Sequence, residues 1–124
     1  MRVVLLAILI LAWVPVFSEE LATTTETEIE FLLSSVGDSG CSFIRNGKTH
    51  SSSDAEAHLR MKYKRGKRYA STTEKFIERL ASSSSMSRKP YMIRCGEAAA
   101  VPTGDWFFER LKEYRAGDQA AALE

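Results

Sequence analysis

The sequence predicts a small α+β domain, with three to four helices packed on a small antiparallel sheet and tied by one disulfide. Three observations carry this: apolar residues at helical spacing in four segments, two short alternating segments, and one cysteine in each of those two segments. With 124 residues, 44% hydrophobic and 27% charged, the chain has the balance of one globular domain and no room for a second.

The elements follow in order. Met1-Arg2 precedes an apolar run from Val3 to Phe17, and small residues stand at Val16 and Ser18. A basic start, an apolar stretch and small residues at that spacing predict a secretory signal over residues 1–18, cleaved near Ser18. The run is short for a transmembrane helix, which needs about 20 residues, so no stable membrane insertion is expected after cleavage. No cysteine follows it, so a lipid anchor is not supported. The remaining chain is expected to be periplasmic or secreted, with its single domain over residues 19–115.

Thr25 and Glu28 stand at capping-box spacing, and Ile29, Leu32, Leu33 and Val36 follow as a helical stripe that Gly37 and Gly40 stop. Cys41 to Arg45 reads as a strand ending in the turn signal Asn46-Gly47, while Lys48 to Ser53 looks too polar to be its partner. Ser53 and Glu56 form a second capping box for a helix with Ala55, Leu59 and Tyr63 on one face, His58 beside them and Gly66 at its end. Ser71 and Glu74 open a third, with Phe76, Ile77 and Leu80 inside; the Ser82 to Ser85 run ends it. Tyr91 to Cys95 is the second strand. Antiparallel pairing sets Cys41 opposite Cys95, Phe43 opposite Ile93 and Arg45 opposite Tyr91, making a disulfide, an apolar pair and a cation–aromatic pair together. Pro102 to Asp105 open a fourth helix with Trp106, Phe107, Phe108, Leu111 and Tyr114. Residues 116–124 read as a disordered tail whose AAALE ending resembles a cloning scar.

Two cysteines in an oxidising compartment favour a disulfide; a reactive thiol pair or two metal ligands are the alternatives, and there is no CxxC. Charge is unevenly spread. Residues 19–38 carry six acids and no base, residues 39–94 a net +9, and residues 95–124 a net −3. Either the basic middle forms a polyanion-binding face, or acidic terminal helices fold back and neutralise it. An exported protein meets envelope polymers and lipid phosphates rather than nucleic acid.

No cofactor or metal is implied, because His50 and His58 lack a helical ligand spacing and further ligands. There is no GxSxG elbow, and Arg88 stands where an SxxK motif starting at Ser85 needs Lys. The candidate site is therefore a binding face made of Arg45, Asn46, His50, His58, Arg60, Lys62, Ser82, Ser83, Ser84, Ser85 and Tyr91, suited to an envelope polyanion or a protein partner. A small cell-wall hydrolase or transferase with His50 or His58 as general base is the alternative. Packing of the aromatic fourth helix on a partner is a third reading. The oligomeric state stays open.

The segments GCSFIRNGKTH, AEAHLRMKYKRG and TEKFIERLASSSSMSRKPYMIR, in this order, resemble the YfeK-like proteins, small exported bacterial proteins of unknown function. The resemblance covers about residues 28–115 and is most specific at Arg45-Asn46-Gly47, at Ala57 to Arg60 with Lys62, and from Phe76 through the serine run to Pro90-Tyr91. The chain departs from it at Arg88, where the family pattern is Ser-Gly-x-Pro-Tyr. The resemblance implies a periplasmic location but no activity, ligand or catalytic residue.

Overall fold

Ile29, Leu32, Leu33 and Val36 recur at helical spacing and are all buried, so the first helix is held by its stripe. A computed structural model describes residues 17–123, with side chains from Thr24 onward. The signal expectation falls outside the described residues, apart from Phe17 and Ser18, whose backbone begins that helix. α1 spans Phe17–Asp38, so the capping box expected at Thr25 lies inside a continuous helix. Nothing in residues 18–24 breaks a helix, and both expected box residues are buried instead.

β1 (Ser42–Arg45) and β3 (Met92–Arg94) pair antiparallel with Phe43 opposite Ile93, and Cys41 is bonded to Cys95, as the alternation predicts. The Arg45–Tyr91 pair does not form as a strand pair, because Tyr91 lies just before β3 with its N–H donated to the Ser82 carbonyl and its own carbonyl accepting from the Thr103 amide. Lys48–His50 is β2, paired to β1 with Arg45 opposite Lys48, in place of the expected loop. The cause is local: Asn46 and Gly47 both hold positive φ, 50° and 77°, which makes a two-residue turn whose twist matches two strands. Pairing set by a turn tolerates polar side chains on an edge strand, where they discourage further strand addition. A short β4 (Val101–Pro102), absent from the sequence expectation, completes the order β2-β1-β3-β4. Its proline sits on the edge, where no ladder donor is needed.

α2 spans Ser52–Gly66, capped by Ser51, whose hydroxyl accepts from the Asp54 amide; the expected cap at Ser53 lies inside the helix. α3 (Thr73–Phe76) is capped by Thr72 rather than Ser71 and widens into a π-helical turn at Ile77–Ala81. There Ser82 Oγ donates to the Ile77 carbonyl at 2.6 Å, closing the widened turn as the chain leaves it. Gly66 lets α2 meet the π turn closely, since a Cβ there would stand 2.9 Å from a Leu80 methyl. α4 spans Thr103–Ala122. Residues 116–122, expected to be disordered, continue it as an exposed helical extension, favoured by Ala116 and Ala120 to Ala122.

α1 packs on α2, α3 and α4, and α2 and α4 rest on the sheet. Leu59, Phe76, Ile77, Phe107 and Leu111 fill the space between helices, while Phe43, Tyr91 and Ile93 close it from the sheet. Strand alternation thus turns Phe43 and Arg45 toward α2, whereas Ser42, Ile44 and Met92 stay half-buried on the other face.

Candidate functional site

Helical periodicity divides the charges of α2. Successive residues turn by about 100°, so Arg60 and Lys62 point roughly 200° apart and cannot serve one surface. Arg60 faces α1, with Nη2 2.7 Å from Glu30 and Nε 2.7 Å from Glu56. Lys67 pairs with Glu26 in the same direction. The acidic first helix therefore does neutralise part of the basic middle. The opposite face of α2 carries His58, Lys62 and Arg65, and its one carboxylate, Asp54 in the first turn, lines a separate small pocket with His50 and His58 and forms no ion pair among the described residues.

That face forms one wall of a cleft of about 1220 Å3. The β1–β2 hairpin supplies Arg45 and Lys48, the π turn supplies Arg79, and the loop from Ser83 to Arg88 closes the far side. Six lysine or arginine side chains line the cleft (Arg45, Lys48, Lys62, Arg65, Arg79 and Arg88), and none of the described lining residues is Asp or Glu. Among the described residues none of the six is ion-paired.

Its inner wall is a hydrogen-bonded chain. Arg45 Nη1 stands 2.7 Å from His58 Nδ1. The same Nη1 stands 3.0 Å from Nε2, and because a guanidinium only donates, a ring nitrogen of the imidazole accepts from Arg45; Nε2 also lies 3.2 Å from Tyr91 Oη. Lys62 Nζ donates to the same hydroxyl at 3.1 Å and to the Ser83 carbonyl at 2.9 Å. Tyr91 Oη thus accepts from Lys62 and lies in hydrogen-bond reach of His58, and Lys62 keeps a third N–H for another acceptor.

Burial and mutual repulsion both act on these groups. Burial, then the charges of Arg45, Lys62 and His50, push His58 down to about 4, so it is neutral at pH 7. Burial, then Arg45, lowers Lys62 to about 8. Burial raises the Tyr91 phenol. A wall whose cations are destabilised by each other is one that an incoming anion relieves.

Nine of the expected site residues line this cleft: Arg45, Asn46, His50, His58, Lys62, Ser83, Ser84, Ser85 and Tyr91. Two do not. Arg60 is engaged with α1, and the Ser82 hydroxyl is spent on the π turn. Sequence reasoning missed Met61 and Arg65 on α2, Tyr69 just beyond it, and Lys48, Arg79, Met86 and Arg88. Met61 and Arg65 were accessible to helical counting, three and seven residues beyond His58; the others depend on how the hairpin, π turn and loop converge. His50 lines the cleft, yet its Nε2 is buried and unpartnered among the described residues. Among those residues no three of His, Cys, Asp and Glu gather as metal ligands, and no helix is long and apolar enough to cross a membrane.

The loop is fastened at its tip, where Ser87 Oγ donates to Asn46 Oδ1 at 2.6 Å. Arg88 holds φ +59°, in the left-handed region that suits glycine. Arg88→Gly is expected to raise stability by about 0.5–1 kcal/mol, the relief of backbone strain exceeding the added freedom of the unfolded chain. Urea midpoints check this; a lower midpoint for the variant would refute the strain.

Residues 23–115 match the model of a family of unknown function, DUF5329. The chain is 36% identical over 90 residues to the uncharacterized protein YfeK of Salmonella typhimurium, covering 72% of this chain and 71% of that protein. No solved structure matches. With the family model spanning nearly the whole described domain, the chain belongs to the DUF5329 family of unknown function.

Proposed function

We propose that this protein is a non-enzymatic module that binds an anionic ligand of the cell envelope in the cleft between α2, the β1–β2 hairpin and the Ser83–Arg88 loop. The observation that carries the reading is the set of six unpaired cations with no carboxylate among the described lining residues. Cations gathered without counter-charges repel one another and lose hydration, a cost that a bound phosphate or carboxylate offsets through charge-assisted hydrogen bonds. Lys62 and Arg45 present such donors on the inner wall, while Arg65 and Arg79 approach from the open side. The apolar run Val3–Phe17 and the Cys41–Cys95 bond support a place in the periplasm or outside the cell, where disulfides persist.

The hydrolase alternative draws no support from His58. Arg45 Nη1 already stands within hydrogen-bond distance of both its ring nitrogens, and a group lowered to about 4 is a weak base at neutral pH.

The test is a thermal-shift titration of the oxidised protein with glycerol 3-phosphate, pyrophosphate, acidic oligosaccharides and lipopolysaccharide. At least one is expected to raise the melting temperature at low salt, with the shift shrinking near 0.5 M salt, where screening acts within about 4–5 Å. The exposed pair Arg65→Gln/Arg79→Gln should lose the shift without unfolding, whereas Arg60→Gln, outside the cleft, should keep it. No shift with any anion, or equal loss in Arg60→Gln, overturns the proposal.

A further inference from the structure

The cleft is much larger than an anionic group. A phosphate has the bulk of about three waters, at about 30 Å3 each, against a cleft of about 1220 Å3. The other side chains around the opening therefore bear on the rest of the ligand. Among the described residues six large hydrophobic side chains are exposed, and three of them, Met61, Tyr69 and Met86, line this same cleft. Met86 is the extreme case at 96% exposed, standing on the loop beside Ser85 with no packing role in the free protein. Leu80 lies behind them as part of the lining. Exposed apolar side chains scattered singly need no explanation, but a group that shares one opening with six cations does.

The two sets of residues are also of different kinds. Arg45, Lys62, His58 and Tyr91 are half-buried or buried and mutually hydrogen-bonded, which suits the recognition of one fixed polar group. Met61 and Met86 are unbranched, polarizable and free to change rotamer, which suits a flexible apolar chain of no fixed shape. Tyr69 adds a ring face whose other partner is Arg68, 4.7 Å from its centroid. An acidic glycan would use the cations but leave the methionines in water, and a neutral lipid would leave the cations unpaired.

We propose that the ligand is an anionic amphiphile, with a phosphate or carboxylate head held on the Arg45–Lys62 wall and one hydrocarbon chain covered by Met61, Tyr69 and Met86. This deepens the anion-binding reading and rests on it. Binding transfers the chain from water to the methionines and returns the cations a counter-charge, so head and chain each contribute.

Isothermal titration with three soluble probes tests it: 1-lauroyl lysophosphatidic acid below its micelle threshold, glycerol 3-phosphate, which shares its head, and monolaurin, which shares its chain without the charge. The lysophosphatidic acid is expected to bind one to one and about 100-fold more tightly than either of the others. Met61→Ser/Met86→Ser, at two exposed positions, should weaken it about tenfold and leave glycerol 3-phosphate unchanged. Equal affinity for glycerol 3-phosphate and the amphiphile overturns the proposal while the anion site stands. Equal affinity for monolaurin overturns it by removing the role of charge. No binding of any probe overturns both readings. Co-sedimentation with phosphatidylglycerol vesicles separates the sources of the head group: binding to vesicles without binding to the monomeric probe would mean attachment to a bilayer surface, and would overturn a single bound chain.

Discussion

Replacing both cysteines, Cys41→Ala/Cys95→Ala, is expected to lower the unfolding free energy by about 4 kcal/mol. The bond closes a loop across a sequence separation of 54, and chain entropy alone assigns roughly that value to a loop of this length. Small domains are stable by only about 5–15 kcal/mol, so the loss is a large share of the total. All the residues that line the cleft fall between the two cysteines, from Arg45 to Tyr91, while α1 and α4 lie outside that loop. Loss of the bond should therefore loosen the loop that carries the cleft, and hydrogen exchange should rise in β1, β3 and the Ser83–Arg88 loop before it rises in α1. Urea denaturation of the oxidised protein and of the double variant measures the difference. A change below about 1 kcal/mol would show that the unfolded chain is already restricted and would refute the loop-closure account.

Arg115→Met is expected to cost about 2–3 kcal/mol through a charge it leaves behind. Glu28 is only 5% exposed, and its carboxylate accepts from Arg115 Nε at 2.7 Å, from Arg115 Nη2 at 3.0 Å and from Thr73 Oγ1 at 2.7 Å. Removing the guanidinium strands a buried carboxylate with Thr73 as its remaining donor among these, a change that costs about 3–5 kcal/mol in well-buried pairs. Arg115 is 43% exposed, so water softens the loss toward the lower end. Arg115 also pairs with Glu74, which makes it the clamp that holds α4 against both α1 and α3.

The pH dependence has a definite sign. The Arg115 hydrogen bonds hold Glu28 below its ordinary value of 4.5, against the opposing effect of burial. A carboxyl whose folded value is depressed stabilises the fold fully above the unfolded value and loses that contribution as pH falls through the folded one. In Arg115→Met burial acts with less opposition, and the folded value moves upward. The deficit of the variant should then be largest near pH 7 and shrink as pH falls toward 4, because protonation removes the stranded charge. A deficit that stays constant over this range would show that Arg115 acts through packing alone. Glu28→Leu/Arg115→Met should recover most of the loss.

Much of this architecture is written in short-range chemistry. The stripe from Ile29 to Val36, the alternation in Cys41–Arg45 and Tyr91–Cys95, and the serine run that ends the third helix each depend on residues a few positions apart. Where local signals compete, spacing alone misplaces an element. Thr25 with Glu28 has the form of a cap, but no glycine or proline stands in residues 18–24, and α1 runs through. Lys48 to His50 looks unfit for a strand, yet the Asn46-Gly47 turn imposes the hairpin whatever the polarity of those three side chains.

The candidate site was legible to the extent that it lies on single elements. Arg45 and Tyr91 sit on or beside strands of known face, and His58 and Lys62 lie on one side of a helix. Arg60 was misplaced by counting proximity in sequence where angle around the helix decides. The disulfide partners, the alternating faces and the amphipathic stripes follow from the sequence by itself, because backbone periodicity converts residue spacing directly into direction. The Glu56–Arg60 pair follows from i,i+4 spacing on α2, but which cations are neutralised by Glu26 and Glu30, and which are left facing the cleft with Met61 and Met86, only the tertiary structure decided. Charges act through space, and the distances that set them come from how α1, the hairpin and the Ser83–Arg88 loop are packed around α2.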